Sequence, residues 1–551
     1  MRYVGYSRGF HDAGLAIIEE DGTVSYASNS ERYSKIKYDP QLTPELESMI
    51  KKDDYVVFYQ DLELNSEKYD YSPNPTLAMH GIGEVFTFDP KDEIGKSLRY
   101  TRDNREYSFE EVYFNSLEDA TLPFHMHHES HVAQGLYTRP WQSKDDTVMV
   151  SIDGVGEEQS AVIYDSNFNV KFEHCAPQSI GWLYGMSTTL LGHKRLRDEY
   201  IVMGMSAFGN PNDDVVKLIT DYYNSFDNFT QEEQRMMRQT FSNYHMNKIK
   251  NVMRNQGVSS KEEQNKRMNL PGSPNMTYEI VEDFFQEYVG YIHKLSSFDI
   301  AASIQKFTED KIYEIMVHAR QYGSKLVYSG GVAQNIVANS KIRDLFDEVH
   351  IAVAPTDGGS ALGCASKSWS EQTGGTHLKW SPYLGYNIER DINPKEVVDY
   401  LMKNKVCGVA NGRAEFGPRA LGNRSLLGDV RYDIKDTVNK IKQRELYRPF
   451  APAILEEYAD EYFDGHKNEY MQYQSIAKHD YKSVIHIDGT SRCQVVKKDC
   501  QSVIRPVLEE YFERTGIPML LNTSLNIKGQ PILNDEKDVE EWEKKYKVRI
   551  F

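Results

Sequence analysis

Short apolar runs broken by polar turns open the chain. Residues 3–6, 13–18 and 23–27 predict three strands, and Asp21-Gly22 supplies a hairpin turn between the last two. The pattern returns at Thr147-Val148-Met149-Val150-Ser151-Ile152, a strand that stops at Asp153-Gly154 and precedes apolar runs at 161–164 and 170–172. The strand, Asp-Gly, strand pattern therefore occurs twice, a match too short to establish a repeat. Residues 212–300 change character. Charged, helix-compatible segments rich in Asn, Gln and Met predict an inserted helical subdomain, and its basic residues between Lys248 and Lys266 read as a solvated face. A long helix is predicted over 301–322 from Ile304, Phe307, Ile312, Ile315 and Met316, then a strand over 326–329 that breaks at Gly330-Gly331. The polar stretch Glu371-Gln372-Thr373-Gly374-Gly375-Thr376 marks the best domain boundary, which divides the chain into 1–375 and 376–551. Beyond it come structured segments at 385–398, a strand over 406–410 and a charged helix-like tail over 536–547.

Composition narrows the class. A chain of 551 residues exceeds the size at which one core keeps growing, and at roughly 150 residues per domain it predicts about three to four domains. The 40% hydrophobic fraction, with 37 Tyr and 23 Phe, excludes bulk disorder. No run approaches the roughly 18 apolar residues of a membrane span, and Arg8, His11 and Asp12 interrupt the start too early for a signal peptide, so a cytoplasmic protein is expected. A net charge of −18 repels duplex DNA while leaving room for a local basic cleft. The cysteines, 175, 364, 407, 493 and 500, are odd in number and scattered, which fits buried reduced thiols rather than a disulfide framework or a zinc site.

Three constellations carry chemistry. In Phe124-His125-Met126-His127-His128-Glu129-Ser130-His131, His127 and His131 stand four apart, and on a helix both imidazoles would share a face and grip one ion. A surface histidine patch or hydrogen-bonded helix-end histidines would give the same string. Asp153 and Asp357, each at a strand end before glycine, are candidate carboxylates. Two imidazoles with two carboxylates suit Fe(II), Mn or Zn rather than a thiolate metal. In Ser329-Gly330-Gly331-Val332-Ala333-Gln334-Asn335, Gly330 and Gly331 would let backbone approach a nucleotide before a helix start, or serve only a tight turn. The third constellation is basic where it is rich in Gly and Pro. Arg413, Arg419 and Arg424 lie in one block, and Lys442, Arg444 and Arg448 in another. Rigid turns bearing Arg in an acidic chain point to bidentate recognition of phosphate or carboxylate. Arg492 and the string Asn522-Thr523-Ser524-Leu525-Asn526 add donors near strand ends.

Together these strings resemble the ATP-dependent O-carbamoyltransferase family of the nodulation and antibiotic-tailoring type. The matching strings run through nearly the whole chain, in order: His11-Asp12-Ala13, Ser30-Glu31-Arg32-Tyr33-Ser34-Lys35-Ile36-Lys37, His127-His128-Glu129-Ser130-His131, Asp153-Gly154, the segment from Tyr200 to Met205, Ser329-Gly330-Gly331, Asp357-Gly358-Gly359, the segment from Phe416 to Ser425, Arg448-Pro449-Phe450-Ala451-Pro452 and the Asn522 string. The resemblance implies an α/β enzyme with an actin-like N-terminal domain, helical insertion included, and a YrdC-like α/β C-terminal domain. The C-terminal site would make carbamoyl adenylate from carbamoyl phosphate and ATP, with magnesium on the pyrophosphate. By position, Lys442, Arg448, Arg492, Asn522 and Ser524 correspond to that site, joined by Arg419, while Gly330, Gly331 and Asn335 remain candidate nucleotide-binding residues from their strand–turn–helix pattern. His127, His131, Asp153 and Asp357 correspond to the iron-type metal site where a hydroxyl takes the carbamoyl group, and His11 beside Asp12 corresponds to the base.

This sequence departs from the family where Met203-Gly204-Met205-Ser206-Ala207-Phe208-Gly209 replaces a Leu-Ala-Pro-Tyr pattern, and where Leu533-Asn534-Asp535-Glu536 leads into a charged tail. Acceptors consistent with the reading are a sugar, an aminoglycoside, a polyketide, a nucleotide or a hydroxymethylated base, and the assembly could be a homodimer. Two other readings stay open. One is an actin-like kinase or hydrolase with an unrelated C-terminal module, and the other is a catalytically dead scaffold.

Overall fold

The computed structural model describes residues 1–8, 11–60, 76–77, 86–87, 99–102, 105–108, 122–230, 233–234, 275–446 and 448–551. It is a mixed α/β protein, as the alternation of the sequence predicts. Strands β1 (Arg2–Ser7), β2 (Gly14–Glu19), β3 (Val24–Asn29) and β4 (Tyr55–Phe58) form a sheet in the order β3-β2-β1-β4. β1 runs antiparallel to β2 and parallel to β4. Helix α1 (His127–Thr138) follows, and every residue from Ser130 to Thr138 is buried.

The chain then builds β5 (Thr147–Ile152), β6 (Gln159–Asp165) and β7 (Val170–Cys175), paired antiparallel. Among the described residues this part also has the helices α2 (Ile180–Leu190), α3 (Glu199–Ser206), α4 (Asp213–Ser225), α5 (Asn275–Lys294) and α6 (Ser297–Ala319). Ser296 caps α6 by accepting from the Asp299 N–H, which starts that helix four residues before the predicted 301. The helical character expected of 212–300 is met at α4 and α5, whereas the basic face between Lys248 and Lys266 lies outside the described residues.

Strands β8 (Lys325–Ser329) and β9 (Glu348–Ile351) pair in parallel, and α7 (Ser360–Thr373) comes next. Gly374 ends α7 with φ +73°, so the Gly-rich stretch expected as a boundary is a left-handed helix cap. After it come β10 (Tyr383–Ile388), α8 (Pro394–Asn404), β11 (Val406–Ala410), β12 (Gly412–Glu415), β13 (Arg424–Gly428), α9 (Lys435–Ile441), β14 (Ala451–Leu455), β15 (Gln494–Val496), α10 (Ile504–Thr515), β16 (Met519–Ser524) and α11 (Glu536–Tyr546). Five of these strands make a sheet in the order β11-β13-β16-β14-β15, with apolar clusters around Leu426 and Leu521 and around Leu427 and Leu520. The last residues cover its β11 edge: Gly408 N donates to Arg549 O at 2.8 Å and Phe551 N to Gly408 O at 3.0 Å.

By contacts the chain forms two compact units, Asp146–Ser324 and the remainder. Among the described residues no helix is long and apolar enough to cross a membrane.

Two glycines set the depth of α7 in the larger unit. A Cβ on Gly5 of β1 would stand 2.0 Å from the Ala361 carbonyl oxygen, and one on Gly363 would stand 1.7 Å from the Ser130 carbonyl oxygen of α1. Backbone is the obstacle in both cases, so α7 is held close to both the sheet and α1. Gly363→Ala should therefore push α7 away from α1 and destabilise the protein by about 3 kcal/mol, the upper range for overpacking. Urea denaturation checks this, and an unchanged midpoint would contradict the packing described.

Candidate functional site

Helix periodicity places His127 and His131 on one face of α1, one turn apart. Their Nε2 atoms lie 3.1 Å from each other. Asp357, in the turn that leads into α7, points Oδ1 at both, 3.3 Å from His131 Nε2 and 3.6 Å from His127 Nε2. All three residues are buried, and their ligand atoms lie within 4.8 Å of one another. Two nitrogens and a carboxylate oxygen converging in this way fit a divalent transition metal, because such an ion takes the neutral imidazoles and the carboxylate together. Among the two explanations for the histidine string, an exposed patch is excluded by this burial.

His11 adjoins the same carboxylate. Its Nδ1 is 2.9 Å from Asp12 Oδ2, and its Nε2 is 3.5 Å from Asp357 Oδ2. With Nδ1–H donating to Asp12, Nε2 is the ring atom left to accept a proton. Asp12 holds φ +55°, in the left-handed region that Asp tolerates better than most side chains.

Asp153 belongs to the smaller unit. It follows β5, and its Oδ1 accepts the Gly154 N–H at 2.6 Å. Gly330 holds φ +91° after β8, and Gly331 opens a short 3-10 turn. Asn335 caps the following helix, its Oδ1 accepting from Ala338 N at 3.1 Å, so local structure accounts for that oxygen.

The C-terminal candidates form a second group. Lys442 is 3% exposed, and its Nζ donates to Asn526 Oδ1 at 2.8 Å, to Ser524 Oγ at 3.2 Å and to the Ser524 carbonyl. It meets no carboxylate among the described residues. Burial pushes its ammonium well below the usual lysine range, and the charges of Arg444, Arg448 and Lys37 push it further. Arg492 behaves alike: burial lowers it, then Arg419, Arg444 and Arg448. Its buried Nε has no hydrogen-bond partner among the described residues. Asn522 is 1% exposed and donates to Gln494 Oε1 at 2.7 Å, and among the described residues its Oδ1 has no hydrogen-bond partner. Of this group Arg448 pairs with Glu445, Nη1 to Oε2 at 3.5 Å, and burying several cations together is costly unless negative charge offsets it.

The structure adds Glu415, which the strings contained without a stated role, and separates Arg444 from Arg424, both grouped above with the anion-binding cations. Arg444 sits over the Phe450 ring at 4.1 Å and donates from Nε to Asn439 Oδ1 at 2.6 Å, which aims a further cation at Lys442 and Arg492. Glu415 shapes the Arg419 loop. Its Oε1 accepts the N–H groups of Leu421 and Asn423 at 2.8 Å and of Arg424 at 3.0 Å. Arg424 is fully buried and donates to the carbonyls of Asn411, Gly412, Asn423, Tyr386 and Asn534, so it braces the fold. An acid among glycines and arginines was the available signal for Glu415, and its partners are backbone groups that sequence does not display.

A family model described as carbamoyltransferase N-terminus matches residues 2–366, and one described as carbamoyltransferase C-terminus matches 398–551. The chain belongs to the carbamoyltransferase family. This carbamoyltransferase is 26% identical to an uncharacterized protein of Synechocystis, over 97% of this chain and 93% of that one. It is 34% identical to nodulation protein U of Rhizobium tropici, an alignment spanning 48% of this chain and 50% of that one. Among solved structures, T. kodakarensis HypF aligns with TM-score 0.28 and 14% identity over 68% of this chain and 48% of that one, a likeness that carries no argument.

The imidazole geometry makes a direct prediction. Enzyme purified without chelator should contain about one iron, manganese or zinc per chain. His127→Ala with His131→Ala should lose it by elemental analysis, and unchanged content would place the metal elsewhere.

Proposed function

We propose that this carbamoyltransferase is an ATP-dependent O-carbamoyltransferase that works in two steps at two sites, in domains spanning 1–375 and 376–551. The observation that carries the reading is a cluster of cations around the buried Lys442 and Arg492, together with a separate histidine and aspartate cluster. The first domain would be actin-like and the second YrdC-like.

In the first step, water hydrolyses carbamoyl phosphate to inorganic phosphate and carbamate, and a carbamate oxygen attacks the α-phosphorus of ATP. Pyrophosphate leaves and carbamoyl adenylate remains; a bound magnesium would offset the pyrophosphate charge. Two anions must approach each other for this, and Lys442, Arg448, Arg492 and Arg419 would screen their repulsion. Asn522 and Ser524 supply hydrogen bonds beside them. Gly330, Gly331 and Asn335 are proposed for nucleotide contact at the N-terminal site.

In the second step, an acceptor hydroxyl oxygen attacks the carbamoyl carbon and AMP leaves. His11 Nε2 takes the hydroxyl proton while Asp12 fixes the ring through Nδ1. His127, His131 and Asp357 would hold the metal, with Asp153 proposed as the fourth donor. A divalent metal bound there would supply positive charge for the AMP phosphate and make AMP a better leaving group. The acceptor is a hydroxylated small molecule, a nucleotide or a hydroxymethylated base. A kinase or hydrolase reading leaves the C-terminal cations without a role.

The two half-reactions should separate by mutation. Arg448→Ala should abolish carbamoyl phosphate-dependent exchange of pyrophosphate into ATP, at a cost of about 2–4 kcal/mol, roughly one to three powers of ten in rate. His131→Ala should keep that exchange and lose transfer to a hydroxylated acceptor found by mass-spectrometric screening. Equal loss of both activities in both folded variants would mean one shared site.

A further inference from the structure

Arg32 lies in the short helix Glu31–Ser34, directly after β3, and is 5% exposed. Its Nη2 donates to the Glu415 carbonyl at 3.2 Å and to the Gly417 carbonyl at 3.4 Å. These carbonyls stand at the start of the loop that carries Arg419, and the Glu415 carboxylate draws the far end of that loop back through Leu421, Asn423 and Arg424. The loop also lies close to the chain leading to Asp357: a Cβ on Gly417, whose φ is +108°, would stand 2.7 Å from the Val353 carbonyl oxygen.

The segment bearing Arg32 is sewn to the histidine cluster at its other side. Ser30 N donates to the Ala13 carbonyl at 2.7 Å, and Ala13 N donates to the Asp39 carbonyl at 2.8 Å, so both ends of this segment close on the residue after Asp12. Asn29 Nδ2 donates to the Gly358 carbonyl at 3.0 Å, beside Asp357. A second clamp joins Lys35 to Asp538 of α11.

We propose that Arg32 is a positioning residue that couples the two sites, by holding the Arg419 loop in register with the loop of His11 and Asp12. The proposal rests on the two-step reading. A fully desolvated guanidinium is costly, and apolar side chains could have filled this space. Burial lowers the charge stability of Arg32, and Glu31 and Glu415 offset that effect. Its donors go to backbone carbonyls of a loop, contacts whose directionality fixes position better than an apolar contact would. Held in register, the intermediate formed beside Arg419 meets His11 rather than water.

The test uses full-length enzyme with carbamoyl phosphate and ATP and no acceptor. Two rates are compared: exchange of pyrophosphate into ATP, and release of AMP, which without acceptor reports intermediate lost to water. In Arg32→Met, exchange should stay within about threefold, while AMP release relative to exchange should rise about tenfold, as expected for losing a charged hydrogen bond. Arg32→Lys should restore most of the wild-type ratio. Lys35→Ala, at a more exposed clamp, should raise the ratio about twofold, and it carries the test if Arg32→Met fails to fold. A merely structural role would lower both rates together and leave the ratio unchanged, which would overturn the proposal. Absence of exchange in the unsubstituted enzyme would overturn the two-step reading itself, and the proposal with it.

Discussion

Buried positive charge is the constraint on which the C-terminal half turns. Lys442 is almost wholly inside, and the buried Nε of Arg492 has no hydrogen-bond acceptor among the described residues. Arg419, Arg444 and Arg448 add repulsion to the cost of burial. A fold bears such a cost when it can be offset by what binds. The surrounding structure reads as the means of keeping these cations in place: Glu415 ties the Arg419 loop through three N–H groups, and Asn526 and Ser524 hold the Lys442 ammonium.

The histidine cluster depends on a different constraint, close backbone packing. His127 and His131 need only one helix, but Asp357 reaches them because α7 lies close to α1 at Gly363. The same glycine logic recurs where Gly417 approaches Val353. The two clusters are therefore joined through backbone contacts, and the segment around Arg32 adds hydrogen bonds to both sides.

What could be read from the sequence was what depends on near neighbours. The opening hairpin and the strand ending at Asp153 follow from period and turn residues and appear in the structure, and the helix on which His127 and His131 would share a face is there too. The boundary stretch was legible only as a break. Its Gly374 proves to be a helix cap, because a left-handed φ serves a helix end as well as a linker. Glu415 and Arg32 were hidden for a different reason. Their partners are carbonyls and N–H groups that every residue carries, so the string shows an acid among glycines and arginines, and an arginine in a shared motif, without showing what either holds.

Calorimetry of carbamoyl phosphate binding tests the central claim most directly. An ammonium depressed by burial and by neighbouring arginines should regain its proton when an anion arrives. Titrated across a pH series below the ordinary lysine range, in buffers of different ionisation enthalpy, the enzyme should take up protons on binding, and Lys442→Met should bind more weakly with that uptake lost. Binding with no proton uptake in the unsubstituted enzyme, or with equal uptake in Lys442→Met, would contradict the account.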